Sequence, residues 1–320
     1  MICPGNYPEQ VVISSPLVLK GIANGNASAA VITVPAGGLV ENAISSLFSS
    51  MKVQLLIQNT KDVSVSNLTV DGSGTGTFCS DTMAGIEIYQ AGQIGHANTI
   101  TNMVARNGCG IGILSDTSFA DIESNDIHGT GGENLYTYAG TNKIGSNTFT
   151  GTIVVQGIDS FQATGSVASG NTIPEGMMLL DIGGVTVAQN TVQSEIFLNE
   201  SSNNTVTNNT AILSGGPGIE LLSDCLGCSG TMNNTITENK VSGGATGVQW
   251  FNSGQNVIQN NTFTNVQSGV VIDDEPGAGG NIVKSNTVNE ATCGIDIVAL
   301  VNTAFTPNNL FNVVTRVCHH

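Results

Sequence analysis

Charged and aromatic side chains are scarce in this sequence. Charged residues make up 10% of the 320 residues and aromatic residues 5%, with a single tryptophan. The chain has only eight lysines and arginines against 24 aspartates and glutamates, and the net charge of −16 repels nucleic acid and anionic membrane surfaces. No stretch approaches the roughly 20 consecutive apolar residues of a membrane-spanning helix. We therefore expect no nucleic-acid partner and no insertion into a membrane.

Strong helix formers rarely occur in runs longer than four residues, whereas asparagine, threonine, valine, isoleucine, serine and 40 glycines dominate the composition. This composition predicts a chain that is nearly all strand and turn. It continues from end to end without a charged block or a linker, which favours a single domain over residues 1–320. Hydrophobic residues make up 40% of the chain and are spread evenly, which is sufficient for an extended core.

Two short phrases repeat along the chain. The first, apolar-x-x-Asn-x-apolar, occurs at Ile122–Ile127, Ile144–Phe149, Val187–Val192, Val206–Ala211, Ile236–Val241, Ile258–Phe263 and Val283–Val288. Its mean period between Asn125 and Asn286 is about 23 residues, a length typical of solenoid repeats. The second phrase, Gly-apolar-x-apolar, lies between the first ones, for example at Gly218–Leu221 and Gly247–Trp250. Each repeat is therefore expected to contain two or three short strands with alternating inward and outward side chains.

Successive parallel strands joined by short turns wind with a right hand. We therefore predict an all-β fold, a single-stranded right-handed parallel β-helix with coils of about 23 residues. Residues 1–75 are expected to form irregular opening coils with a long insertion at about 35 to 55, residues 76–298 regular coils, and residues 299–320 a C-terminal capping coil and tail. The recurring asparagines are predicted to form a hydrogen-bonded ladder between coils, and Trp250 is predicted to point inward.

Seven cysteines favour disulfides over a metal site, because Cys225 and Cys228 lack the second cysteine or histidine pair that zinc requires. Pairing Cys79 with Cys109 and Cys293 with Cys318 would tie neighbouring coils or pin the tail and would leave Cys3 unpaired, although other pairings stay open. Paired cysteines imply an oxidising compartment, extracellular or periplasmic. The chain begins inside a strand-turn pattern without a signal peptide, which we interpret as a mature or trimmed start.

The opening Cys-Pro-Gly-Asn-Tyr-Pro-Glu-Gln, the phrase Asn67-Leu-Thr-Val-Asp-Gly72 and the Asn-Thr-apolar coils resemble the bacterial right-handed β-helix repeat proteins of the pectin lyase-like superfamily. The resemblance covers essentially the whole chain. It implies a secreted protein, and the superfamily includes polysaccharide lyases, polygalacturonase-type hydrolases, esterases and epimerases, as well as proteins without known activity. The fold alone does not choose among them.

A lyase acting on uronates needs cationic side chains at the substrate, and no two basic residues here share one phase of adjacent coils. We expect no resident cofactor, with Ca²⁺ as the alternative that could replace the missing cations. A hydrolase needs two carboxylates, which stacked coils can supply. The Asp273-Asp274 pair resembles the paired acids of polygalacturonase-type hydrolases, and Asp224 could stand for the acid in an earlier coil. Their Gly-His-Gly and Arg-x-Lys phrases do not occur.

These acids belong to a series that follows or lies on the Gly-apolar-x-apolar strand. The series comprises Asp116, Asp181, Glu200, Glu220, Asp224, Asp273, Asp274, Glu275 and Asp296. The structural interpretation is that Asp, Asn, Ser and Gly all suit this turn. The functional interpretation assigns catalysis to Asp224, Asp273 and Asp274. Substrate contacts are then expected from Glu220 and Gln249 at outward strand positions, and from Tyr136 and Tyr138 in a less regular loop with aromatic rings that could stack on sugars.

The sequence thus supports two functions of different class. The first is a secreted bacterial protein that binds or processes a polysaccharide; if the chain is an enzyme, a polysaccharide hydrolase or lyase is expected. The second is a non-catalytic surface or scaffold solenoid. The feature that discriminates between them is a groove, because an enzyme needs long loops that wall one sheet. The turns of this chain from residue 140 onward are mostly short, which favours a protein without demonstrated catalysis.

Overall fold

The structure is a computed structural model that describes residues 1–22, 30–74, 82–156, 165–223, 230–274, 279–299, 302–305 and 307–319. Contacts divide the chain into two compact units, Met1–Gln156 and Gly157–His320. The described residues form strands and turns and no helix, so none is present that could cross a membrane. The all-β fold predicted from composition is confirmed. A single domain over residues 1–320 stays a prediction, and the two units are described in turn.

The Met1–Gln156 unit consists of short parallel strands and one hairpin. Its strands are β1 (Gly5–Pro8), β2 (Val11–Ile13), β3 (Val18–Lys20), β4 (Ala30–Thr33), β5 (Ala43–Ser45), β6 (Ser49–Gln58), β7 (Ser64–Ser66), β8 (Thr69–Asp71), β9 (Met83–Tyr89), β10 (Asn98–Thr101), β11 (Val104–Arg106), β12 (Ile111–Glu123), β13 (Asp126–His128), β14 (Leu135–Gly145), β15 (Thr148–Phe149) and β16 (Ile153–Gln156). Strands β6, β9, β12, β14 and β16 stack in parallel, one strand per coil. Their inward positions hold a column of fully buried aliphatic side chains, Ile86, Ile113, Leu135 and Ile153.

The long insertion expected at about 35 to 55 is a β-hairpin. Strand β5 pairs antiparallel with the start of β6, from Ala43 opposite Met51 to Ser45 opposite Ser49. The base of the hairpin is fixed by reciprocal hydrogen bonds of 2.9 Å between the Asn42 side chain and the backbone of Val53. We call Ala43–Met51 the hairpin and residues 46–48 its tip.

The Gly157–His320 unit repeats the same coil pattern. Its strands are β17 (Val167–Ser169), β18 (Thr172–Ile173), β19 (Met177–Leu180), β20 (Thr186–Ala188), β21 (Thr191–Val192), β22 (Ile196–Asn199), β23 (Thr205–Thr207), β24 (Thr210–Ile212), β25 (Pro217–Leu222), β26 (Thr235–Thr237), β27 (Lys240–Ser242), β28 (Thr246–Phe251), β29 (Val257–Gln259), β30 (Thr262–Asp273), β31 (Ile282–Lys284), β32 (Thr287–Ala299) and β33 (Asn309–His319). Strands β19, β22, β25, β28, β30, β32 and β33 stack in parallel.

Buried asparagines hold these coils together, as the sequence predicts. In one ladder each amide nitrogen donates to the amide oxygen of the next asparagine at 2.9 to 3.0 Å, through Asn171, Asn190, Asn209, Asn239, Asn261, Asn286 and Asn308. The same side chains also bond the backbone of neighbouring coils, as Asn209 does with the carbonyl oxygen of Val187 at 3.0 Å. The step between rungs varies from 19 to 30 residues. The ladder therefore fixes the turn while the rest of each coil varies in length.

A disulfide joins Cys293 on β32 to Cys318 on β33, which confirms one expected pair. Cys109 is also disulfide-bonded, and its expected partner Cys79 lies outside the described residues, as do Cys225 and Cys228. Cys3 is free and exposed. The C-terminal strand is thus covalently tied to the coil that precedes it.

Candidate functional site

The outward face of the Met1–Gln156 unit carries a row of polar and aromatic side chains on consecutive strands. The row comprises Gln58, Tyr89, Asp116, Tyr138 and Gln156, each directly opposite the next in the register of β6, β9, β12, β14 and β16. Neighbouring strands lie about 4.8 Å apart, so the row presents one such side chain at each step. We call these five residues the polar row.

A second outward row lies two residues earlier on the same strands and is buried instead of solvated. It comprises Leu56, Glu87, Leu114, Tyr136 and Val154, which we call the covered row. The first three are 0% exposed. The tip of the hairpin packs over this face, since the rings of Phe48 and Tyr136 meet edge to face with centroids 5.6 Å apart.

Asp116 attaches the hairpin tip to the sheet. Its Oδ2 accepts hydrogen bonds from the Ser45 hydroxyl at 2.7 Å and from the Ser46 backbone N–H at 2.5 Å, and its Oδ1 accepts one from the Thr117 hydroxyl at 2.8 Å. Hydrogen-bond donors at both oxygens fit a carboxylate, because a carboxylate accepts hydrogen bonds and donates none. Asp116 is therefore buried in a polar environment.

Glu87 has the opposite environment. In the covered row it lies between Leu56 and Leu114, and neither of its carboxyl oxygens has a hydrogen-bond partner among the described residues. Burial raises the pKa of Glu87 to about 8, and the nearby charge of Asp116 adds to that rise. At neutral pH Glu87 is therefore protonated and can donate a proton. The neighbouring Asp116 side chain accepts hydrogen bonds.

Sequence reasoning missed Glu87, although its signal was present. The stretch Gly85-Ile86-Glu87-Ile88 is a Gly-apolar-x-apolar phrase with an acid at its outward position, the same position that Glu220 occupies in a later phrase. The burial of that position depends on the hairpin, which the phrase itself does not encode.

A groove opens where the hairpin meets the polar row. This pocket of about 470 Å³ is lined by Glu41, Asn42, Ala43, Ile44, Ser50, Gln58, Asn59 and Tyr89. One wall belongs to the hairpin and the other to the sheet. The hairpin is therefore a long loop that walls one sheet, which is the feature expected of a groove.

The expected sugar-contacting tyrosines lie on a strand, and the prediction of a less regular loop there is wrong. Tyr136 and Tyr138 both belong to β14, because Leu135 continues the inward column opposite Ile113. Tyr136 is 9% exposed and packs against Phe48, and its hydroxyl bonds the Gln156 side chain. Tyr138 is half-buried and belongs to the polar row.

In the Gly157–His320 unit, Glu220 and Gln249 lie side by side on the outward face. The Gln249 side-chain amide donates to Glu220 Oε1 at 3.0 Å. A third residue, Glu195, interacts with Glu220. Burial is the largest cause that raises the pKa of Glu195, and the charge of Glu220 and a hydrogen bond with the Glu220 carboxyl group raise it further. Glu195 stands in register with Gly176 and Gly218, so it breaks the glycine column of the repeat. Sequence reasoning named the first two residues and missed the third.

The structure describes two of the three acids assigned to catalysis, Asp273 and Asp274. Asp224 lies outside the described residues. Asp274 is 1% exposed and accepts hydrogen bonds from the Trp250 indole at 2.9 Å and from Asn281 at 3.1 Å. Asp273 ends β30 half-buried, where the register with β32 shifts. The environment of Asp274 suits a carboxylate that orients inward groups, and the catalytic assignment of these acids stays a prediction.

Other members of the acidic series follow the structural interpretation. Asp181 and Glu200 adopt left-handed backbone conformations, with φ of 50° and 48°. Trp250 points inward as predicted, at 2% exposure. Within the part of the chain that the structure describes, no three or more His, Cys, Asp or Glu side chains cluster in a way that could hold a metal ion.

Comparisons with known proteins agree on the fold. Residues 175–316 match a family model described as the right handed beta helix region. No curated protein matches the chain. The solved structures that it resembles include the Dettilon tailspike protein, with a TM-score of 0.56 at 13% identity, covering 96% of this chain and 60% of that one.

Two further structures are similar. The A-module of mannuronan C-5 epimerase AlgE4 from Azotobacter vinelandii has a TM-score of 0.50 at 14% identity, covering 98% of this chain and 87% of that one. A PL6 alginate lyase in complex with a trisaccharide has a TM-score of 0.51 at 12% identity, covering 99% and 79%. The chain thus spans 60% of the length of the tailspike protein. At these identities the likeness concerns the fold, and it confirms the expected right-handed parallel β-helix.

Proposed function

We propose that this right-handed parallel β-helix protein binds a polysaccharide on the outward face of its Met1–Gln156 unit, along the polar row and the hairpin. The observation that carries the proposal is the groove of about 470 Å³ between the hairpin and the sheet, with Tyr89 and Gln58 on its floor. Carbohydrate sites are concave and combine aromatic faces with a few placed polar groups.

The polar row supplies both kinds of contact. The rings of Tyr89 and Tyr138 offer apolar faces to sugar C–H groups, and the amides of Gln58 and Gln156 offer donors and acceptors to sugar hydroxyls. Four of the five side chains of the polar row are partly exposed, so a chain of repeating sugar units can make repeated contacts on either side of the buried Asp116. The polar row contains no cation, and the whole chain carries a charge of −16, which favours a neutral polysaccharide over a polyanionic one.

Two of the similar proteins support a polysaccharide ligand but not the choice of a neutral one, since mannuronan and alginate are polyuronates. One is by its printed name a mannuronan epimerase and another an alginate lyase bound to a trisaccharide. Glu220 and Gln249 in the Gly157–His320 unit are proposed as further contacts, since a bonded carboxylate and amide on an outward face suit sugar hydroxyls. The disulfide between Cys293 and Cys318 supports an extracellular or periplasmic location, and we propose that the protein is secreted.

A glycan array and polysaccharide sedimentation with the purified chain, with and without Ca²⁺, test the proposal. We expect Tyr89→Ala and Tyr138→Ala each to weaken binding by about tenfold, since loss of an aromatic contact costs about 0.5 to 1.5 kcal/mol beyond the buried area. Phe311→Ala is the matched control, because Phe311 is an exposed aromatic residue on the C-terminal strand. A glycan screen without any binding would favour the scaffold solenoid, and equal loss in the control variant would contradict the placement of the site.

A further inference from the structure

We infer that Glu87 and Asp116 form an acid pair that hydrolyses a glycosidic bond, and that the hairpin tip is the cover that exposes this pair when it moves. The inference rests on the proposed polysaccharide binding and assigns a reaction to the same face. The starting observation is that Glu87 is 0% exposed and both of its carboxyl oxygens are without hydrogen-bond partners among the described residues. Burying such a group costs several kcal/mol, and buried polar groups of this kind concentrate at functional sites.

The placement of the pair fits glycoside hydrolysis. Glu87 lies opposite Leu114, and Asp116 is two residues further along β12 on the same face, so the two acids are diagonal neighbours on adjacent strands. Parallel strands about 4.8 Å apart and a two-residue offset of about 6.6 Å along the strand put the two backbone positions about 8 Å apart. Both side chains leave the same face of the sheet, so their carboxyl groups can reach the separation of roughly 6.5 to 9.5 Å that leaves room for an attacking water in inverting glycosidases.

The two environments assign the two roles. Glu87 lies between leucines and keeps its proton, whereas Asp116 accepts three hydrogen bonds and suits the charged form. Glu87 then donates its proton to the glycosidic oxygen as the bond from that oxygen to the anomeric carbon breaks. Asp116 takes a proton from the water whose oxygen adds to the same carbon. The products are a new reducing end and a free hydroxyl, and the proton on Asp116 returns to Glu87 through solvent.

The hairpin decides access to the pair. Its base is fixed by the Asn42 and Val53 bonds. Ser45 and the tip are attached through two hydrogen bonds to Asp116, a hydrogen bond of 3.3 Å between the Ser46 and Thr117 hydroxyls, and the Phe48 ring. A sugar hydroxyl that replaced the Ser45 hydroxyl at Asp116 would release the tip, and the bound sugar would take the place of the tip over Glu87, so that this carboxyl group stays out of water and keeps its proton. The groove adjoins the base of the hairpin, so a polysaccharide bound there would already lie beside the tip.

The experiment measures reducing ends released from a panel of neutral polysaccharides, beside binding of the same polysaccharides. We expect cleavage by the wild-type chain, a loss of at least about 100-fold in Glu87→Gln and in Asp116→Asn with binding retained, and faster cleavage by Phe48→Ala. Glu9→Gln is the control, since Glu9 is exposed and remote in sequence from the pair. Far-ultraviolet circular dichroism checks the fold of each variant. If Asp116→Asn fails to fold, Glu87→Gln still tests the inference, because it preserves the size of the side chain.

The possible outcomes separate the two proposals. Binding without cleavage by both the wild-type chain and Phe48→Ala would overturn the acid pair and leave polysaccharide binding in place. Cleavage that survives Glu87→Gln would also overturn it. Absence of binding would overturn the proposed function and this inference with it.

Discussion

Glu87 predicts a specific dependence of stability on pH. Its pKa in the folded chain is about 8, against an ordinary value of 4.5, so the folded state holds this proton more tightly than the unfolded state. The stability that Glu87 contributes is fully present below about pH 4.5 and is lost as the pH rises through about 8. The group that faces it and opposes its ionisation is Asp116. Raising the pH should therefore destabilise the Met1–Gln156 unit, and Glu87→Gln should remove that effect.

The magnitude follows from the difference between the two pKa values. A separation of about 3.5 pH units at about 1.4 kcal/mol each gives about 5 kcal/mol as the upper bound. The protein can avoid part of this loss by releasing the hairpin tip and hydrating Glu87. That release costs two hydrogen bonds to Asp116 at about 1.5 kcal/mol each and one ring contact at about 1 kcal/mol, or about 4 kcal/mol. We expect a loss of about 4 kcal/mol between pH 5 and pH 9.

Urea unfolding of the wild-type chain, Glu87→Gln and the Glu9→Gln control at pH 5, 7 and 9 measures this loss. Asp121 and Glu195, whose pKa values burial also raises, titrate in all three proteins and cancel in the comparison. Hydrogen exchange over the hairpin peptide reports whether the tip opens first at high pH. An identical pH dependence in the wild type and Glu87→Gln would refute the reasoning, because the raised pKa would then have no energetic consequence.

Two further predictions follow from the Gly157–His320 unit. Asn209→Ala should lower the free energy of unfolding by about 2 to 4 kcal/mol, because it leaves buried ladder groups of Asn190 and Asn239 without their partner, and urea unfolding beside the exposed Asn208→Ala checks this. The double variant Asp273→Asn/Asp274→Asn tests the catalytic assignment drawn from sequence. We expect polysaccharide cleavage to persist at the wild-type rate and the unfolding temperature to fall, because the hydrogen bond from Trp250 to Asp274 is altered. Abolished cleavage would place the active site at these aspartates instead.

The repeat could be predicted from sequence because its physics is local. Alternation within a strand and one asparagine per turn recur with every coil, so the inward column and the ladder follow from pattern alone. The position of the hairpin tip could not be predicted, because its contacts with Asp116 and Tyr136 join residues about 70 to 90 positions apart. For the same reason Tyr136 was expected at a surface loop and is instead covered. The sequence places Asp274 on the turn after the strand, and the hydrogen bonds that it accepts there from Trp250 and Asn281 could not be predicted from that position alone.

Glu87 and Glu220 occupy the same position of the Gly-apolar-x-apolar phrase, and their difference shows what the hairpin adds. Glu220 is half-buried on an ordinary outward face and accepts a hydrogen bond from Gln249. Glu87 is fully buried and has leucines as its neighbours in the row, on the face that the hairpin contacts at Tyr136 and Asp116. An acidic side chain at a solvent-exposed outward position has little effect on the free energy of folding. Burying it without hydrogen-bond partners destabilises the fold, whereas a leucine could be buried at the same position without that destabilisation. Of the three fully buried positions of the covered row, two hold leucine and one holds an acid, and we attribute the acid to the proposed reaction.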